Sequence, residues 1–150
     1  MEELNLPKFL YRVKEDKNKR FIFDTVRKKF VILTPEEWVR QNFISYLVEY
    51  KKYPASLIGV EFEFKLNTTS KRSDIVLFGK AGQPILVVEC KASSVKITQK
   101  VFDQIARYNM NFRVDYLIVT NGLEHYCCKF DNEKKSFVFL KDIPEFSQIE

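Results

Sequence analysis

Residues 73–92 read SDIVLFG, then KAGQ, then PILVVECKA. Two apolar runs at strand spacing, joined by only four residues, can pair only as an antiparallel hairpin. Ile85–Val88, opened by Pro84, reads as a strand buried on both faces, where an ionised group is costly. Glu89 and Lys91 at its end therefore need an explanation. With Gly79 opposite Pro84, the register pairs Phe78 with Ile85, Val76 with Val87 and Asp74 with Glu89, all on one face. Ile75, Leu77, Leu86 and Val88 take the other. Residues opposite one another on a ladder hold their Cβ atoms roughly 4.5–5.5 Å apart, so two carboxylates meet at the hairpin end, and Lys91 projects from the same face. Like charges this close need a cation between them, and paired carboxylates suit a hard ion such as Mg²⁺. A plainer arrangement stays open: Glu89 and Lys91 as an ion pair, with Asp74 satisfied by Arg72 or the turn.

The rest of the chain supplies a frame. Short β-prone runs, FLYRV, RFIFD and KFVIL, separated by polar stretches such as KEDKNK, predict a small antiparallel β preface over residues 1–33. Thr34-Pro35-Glu36-Glu37 predicts a helix start with Thr34 as N-cap and Glu37 completing a capping box. That helix runs to about Tyr50, burying Val39, Phe43, Leu47 and Tyr50 and leaving Arg40, Glu49, Lys51 and Lys52 wet. SLIGVEFEFKL, SDIVLFG and PILVVECKA form a three-stranded meander joined by NTTSKR and KAGQ. A second helix spans about Thr98–Phe112, with Val101, Ile105, Tyr108 and Phe112 along one face. DYLIVT, the Asn121-Gly122 turn, LEHYCCKF and SFVFL add strands, and IPEFSQIE reads as a loosely held tail. The expected class is α/β: a mixed central sheet flanked by helices, in one domain of 150 residues with its core over residues 34–130 and a C-terminal strand and tail over 131–150.

No apolar run approaches a membrane span, and MEELNLPKFLYRVKE has neither the cationic start nor the apolar stretch of a signal peptide, which points to the cytoplasm. Cys90, Cys127 and Cys128 form no CxxC pair and read as reduced packing residues. His125, the sole histidine, stands beside Cys127 and Cys128 with too few ligands for a metal site and no nucleophile context for a Ser-His-Asp or Cys-His centre, and reads as a hairpin-edge residue. The net charge of +5 favours an acidic partner, and Lys17, Lys19, Arg20, Arg27, Lys28 and Lys29 of the preface are placed to face phosphates or simply to stay solvated.

Asp74, a gap, then Glu89-Cys90-Lys91 resembles the PD-(D/E)xK nuclease motif. Gln104 and Tyr108, in QIARY, resemble the QxxxY motif that accompanies it in the N-terminal domain of the restriction (R) subunit of type I restriction enzymes. PEEWVRQNFI, KRSDIVLF, PILVVECKA, FDQIARYN and YLIVTNGLEHY fall in that domain's order over roughly residues 34–130. Ser73 stands where the motif has Pro. The resemblance implies a restriction-endonuclease-like core and a metal-dependent endonuclease hydrolysing DNA phosphodiester bonds.

By the same resemblance Asp74, Glu89 and the Cys90 backbone carbonyl ligate Mg²⁺, with Mn²⁺ as a substitute, and Lys91 completes the catalytic set. The Cys90 side chain points to the opposite face. Gln104 and Tyr108 support the site or contact DNA. Glu37, Glu61 and Glu63 are further candidate acids: Glu37 is already explained by its capping box, and Glu61 and Glu63 become ligands only if their register faces Asp74. No GxxxxGK[ST] loop exists in these residues to hold ATP, so they cannot translocate DNA by themselves: the chain is a free-standing relative of that domain or a fragment of something longer, with a motor, a specificity or methylation subunit or a second copy as candidate partners. A DNA-binding or assembly module that has lost hydrolysis is the alternative reading.

Overall fold

The computed structural model describes residues 1–149, with every side chain but that of Leu66. Strands β1 (Val13–Asp16), β2 (Lys19–Asp24) and β3 (Lys29–Ile32) make a three-stranded antiparallel sheet. Helix α1 (Pro35–Glu49) leads into β4 (Ile58–Leu66), β5 (Thr69–Phe78) and β6 (Pro84–Cys90). Helix α2 (Gln99–Met110), β7 (Tyr116–Thr120), β8 (His125–Asp131), β9 (Ser136–Phe139) and a short α3 (Phe146–Ile149) complete the order. The second sheet runs β4-β5-β6-β7-β8-β9, antiparallel throughout except for the parallel β6–β7 pair that α2 connects. The expected mixed α/β architecture, meander and β preface are present.

Both faces of this sheet are covered, which is why its central strands lack an apolar/polar alternation. Ile75, Leu77, Leu86, Val88, Cys90 and Ile118 pack with Val39, Phe43 and Leu47 of α1. Val76, Val87, Leu117, Val119 and Cys128 pack with Phe102 of α2. The three cysteines are free and buried. Thr34 caps α1, its Oγ1 accepting from Glu37 N–H at 3.0 Å, an interaction worth about 1 kcal/mol. No helix among the described residues is long and apolar enough to cross a membrane.

Several expectations need correction. The first strand starts only at Val13, the last residue of FLYRV, and runs into KEDKNK, because Lys17 and Asn18, both at positive φ, form a two-residue turn there. NTTSKR is likewise not a loop: Leu66 pairs with Thr69 around Asn67-Thr68, so Lys71 and Arg72 belong to β5. The β5–β6 register holds from Ile75–Val88 to Leu77–Leu86 and then shifts, pairing Phe78 with Pro84 instead of Ile85. The cause is the turn, where Gly79 N–H bonds Gln83 O at 2.7 Å and Gly82 sits at φ +87°. Tyr50 and Tyr108 are half exposed, not buried, and the stripe of α2 is Phe102, Ile105, Ala106 and Asn109. The tail is not loose: Phe146 is buried against Tyr53, whose hydroxyl donates to Pro144 O at 2.9 Å.

At Gly122 (φ +86°) a Cβ would lie 2.8 Å from Leu4 and 3.1 Å from Val39, so the Asn-Gly turn also seats the N-terminal segment. His125 joins in. Its Nε2 donates to Asn5 O at 2.9 Å, so Nδ1 is the acceptor for the Thr120 hydroxyl at 2.7 Å. Burial lowers the His125 pKa, the Asn5 carbonyl opposing weakly. The unfolded chain then takes up the proton first, so this group's contribution to stability is present above the ordinary histidine range and is lost as pH falls through and below it. The melting temperature should drop less between pH 7.5 and 5.5 in His125→Gln than in wild type; equal drops would refute this.

Candidate nuclease site

The site forms where β6 leaves β5. The β5–β6 ladder ends at Ile75–Val88, while Glu89 and Cys90 continue to pair with Val119 and Thr120 of β7. Asp74 fills the opening: its Oδ2 accepts from Cys90 N–H at 2.7 Å, and its Oδ1 lies 3.4 Å from Arg40 Nη1. The carboxylate thus reaches across the strand end toward α1 instead of standing over Val76. Burial raises its pKa, the Cys90 N–H, Arg40, Lys71 and Lys91 opposing in that order.

Glu89 is held by the Lys71 ammonium, which also donates to Ser73 Oγ at 3.0 Å and lies 5.9 Å from the centre of the Tyr108 ring. Burial draws the Lys71 pKa down to about 8, Asp74 raising it and Lys91 adding to the decrease. Lys91 N–H bonds Thr120 O at 2.8 Å, which fixes its backbone, and its charge is felt by Asp74, Lys71 and Glu36. The expected Asp74–Glu89 pair is not formed: Asp74 turns to Arg40 on the α1 side and Glu89 to Lys71, whose charge, with that of Lys91, still reaches Asp74 at this strand end. Cys90 points into the α1 side of the core, and burial pushes its thiol pKa well up.

Behind Asp74 lies an ionic network. Arg40, expected to be wet, is buried: it bonds both Glu37 oxygens at 3.1 Å and approaches Glu61 at 3.6 Å. Arg27 joins Asp24 (2.5 Å), Glu37 (3.1 Å) and Glu61 (3.2 Å), tying the first sheet to this region. Glu37 is thus committed to Arg27, Arg40 and Gln41, not to a reciprocal capping bond or an ion. Glu61, between the Val60–Ile75 and Phe62–Ser73 pairs, stands opposite Asp74 at φ +53°, a conformation costly for a glutamate, and both arginines hold it. Glu63 pairs with Arg72 and is exposed.

Gln104 is exposed on α2, and Tyr108 donates its hydroxyl to Ser70 O at 2.9 Å, docking α2 on β5. Glu36, passed over in the sequence, feels Asp74 and Lys91; burial and then Asp74 raise its pKa.

Among the described residues no three His, Cys, Asp or Glu side chains are close enough together to cage an ion. Mg²⁺ does not need such a cage, since it keeps several waters and binds through one or two carboxylates. Asp74 and Glu89, at 18% and 14% side-chain exposure, fit that donor set.

A mixed sheet with a helix on each face, and with its charged cluster where two central strands part, is a restriction-endonuclease-like α/β fold. The Type I restriction enzyme R protein N terminus family matches residues 35–144, and the chain belongs to that family. A solved structure described as an HsdR-subunit fragment of a type I restriction enzyme from Vibrio vulnificus YJ016 shares the fold, at TM-score 0.53 and 23% identity over 78% of this chain. This chain spans 24% of that one. Among curated proteins none matches it.

Proposed function

We propose that the protein is a metal-dependent endonuclease that hydrolyses DNA phosphodiester bonds, on the type I restriction R-subunit pattern. What supports this reading is Asp74 bonded to Cys90 N–H at the end of β6 and within reach of the charges of Lys91 and of Lys71, the lysine that holds Glu89, in a chain of that family. Asp74 and Glu89 would hold Mg²⁺ with the Cys90 carbonyl. A divalent ion in such a position polarises a phosphoryl oxygen and lowers the pKa of a water. Lys91 orients the attacking water and offsets charge growing on the non-bridging oxygens as the bond breaks. Cys90 N–H and Arg40 hold the Asp74 carboxylate in place. Tyr108 fixes α2 against β5, and Gln104 on its exposed face meets the DNA backbone.

The test is incubation of purified protein with supercoiled plasmid in Mg²⁺ or Mn²⁺, beside a chelator control and Lys91→Ala. Nicking or linearisation by wild type only, abolished by chelator, is expected. Equal rates in wild type and variant would place the activity elsewhere. Inertness of both with salt-dependent DNA binding would favour a binding or assembly module. One feature favours that second reading: each carboxylate already has a cation from the chain, Arg40 on Asp74 and Lys71 on Glu89.

Lys71 separates the two. If it holds the place of an ion at Glu89, Lys71→Met should lose about 1–3 kcal/mol without metal and regain it with millimolar Mn²⁺, because binding to the folded state stabilises by mass action. At 2–4 °C per kcal/mol for a chain of this size, the metal-induced rise in melting temperature should exceed that of wild type by several degrees. An identical rise in both proteins would sink this role.

A further inference from the structure

The outer face of β1–β3 belongs neither to the site nor to the matched segment, which begins at residue 35. Ile22 and Asp24 point inward and are fully buried, so alternation turns Phe21 and Phe23 outward. Lys14 pairs across the ladder with Phe21, Phe21 with Ile32 and Phe23 with Phe30, placing them on one surface; Lys19 lies there opposite Asp16, its one acidic neighbour. Arg12 lies 4.6 Å from the Phe23 ring centre and 5.4 Å from that of Phe30; Lys14 lies 4.3 Å from Phe30 and 5.8 Å from Phe21. Ile32 is 52% exposed between them.

Charge distribution singles out the same element. Residues 12–33 hold eight Lys and Arg against three Asp and Glu, a surplus equal to the +5 of the whole chain, so the other residues are neutral in sum. A surface of aromatic rings ringed by cations suits an unpaired nucleic-acid strand, whose phosphates pair with the cations and whose bases offer π faces. A duplex hides those faces. We infer that the outer face of β1–β3, through Arg12, Lys14, Lys19, Phe21 and Phe30, binds single-stranded DNA. The choice of DNA rests on the nuclease reading; the surface does not.

The test is fluorescence anisotropy of the whole chain with a labelled 20-mer oligothymidylate and with a duplex of equal length, in chelator so that cleavage plays no part. Wild type should prefer the single strand. Three phosphate contacts predict about a 20-fold loss of affinity from about 50 to about 200 mM salt. Lys14→Glu/Lys19→Glu, on exposed side chains, should weaken binding at least tenfold and flatten the salt slope. Phe21→Leu/Phe30→Leu, checked for an unchanged circular dichroism spectrum, should weaken it about tenfold at constant slope. Lys134→Glu/Lys135→Glu, the same charge change in the β8–β9 turn, should leave a larger share of binding. The inference is overturned if no oligonucleotide binds, if the control reversal costs as much as the first, or if the duplex binds more tightly. Oligonucleotide binding without plasmid cleavage would defeat the nuclease reading and leave this surface standing.

Discussion

Lys91→Ala is expected to lower the rate of Mg²⁺-dependent plasmid cleavage by about 10²–10³-fold, the usual cost of removing one group that stabilises transition-state charge. Stability should change by no more than about 0.5 kcal/mol, because Lys91 is only partly buried and no ion pair ties it to a neighbour among those described. Its charge reaches Asp74, Glu36 and Lys71, but its backbone is what the fold holds, through Thr120. The contrast with Lys71 is instructive. Lys71 is paired with Glu89 and enclosed, so its loss should register first as stability; the loss of Lys91 should register first as rate. A Lys91→Ala protein that melts with wild type and cuts as fast would remove the lysine from the chemistry.

Arg40→Ala should destabilise the protein by about 3–5 kcal/mol, because it removes the ion-pair partner of Asp74 and leaves buried Glu37 with Arg27 alone. Arg40 and Glu37 are each 5% exposed; the substitution takes one of the two guanidinium contacts from Glu37, while Asp74 loses the 3.4 Å partner that offsets its burial. At 2–4 °C per kcal/mol the melting temperature should fall by about 6–20 °C. Arg40→Lys should recover only part of this, since an ammonium cannot span both Glu37 oxygens and reach Asp74 as the planar guanidinium does. Thermal denaturation followed by circular dichroism decides the matter. A melt within a degree or two of wild type would mean that Arg27 suffices for Glu37 and that Arg40 does not offset the burial of Asp74.

These two residues also show what could be read in the chain. Glu89 and Lys91 stand out because charges at the end of a doubly buried strand are conspicuous; Asp74 stands out because a short link reads as pairing it with Glu89, whereas the ladder ends one pair earlier, at Ile75–Val88. The register held at Ile75, Val76 and Leu77, where apolar side chains lock it, and slipped only beside the Gly-containing turn. Lys71 was hidden by one error of turn chemistry: with NTTSKR taken as a loop, it had no strand position, whereas an Asn67-Thr68 turn puts it opposite Phe64. Arg40 was hidden by its type. An arginine at the border of an apolar stripe looks solvated until the acids that enclose it are in place, and two of those, Glu61 and Asp74, come from other strands.

Local pattern alone determined the helices and their N-caps, the meander, the buried strands and the charged end of β6, since each depends on neighbours in sequence and on side-chain periods of two or 3.6. Which carboxylate meets which cation was decided only by the tertiary structure. Ion pairs are long-range choices: Arg40 is taken by Glu37 and Asp74, Glu89 by Lys71, and Glu61 by two arginines, once packing has brought α1, β4, β5 and β6 to a common point where burial makes every unpaired charge costly.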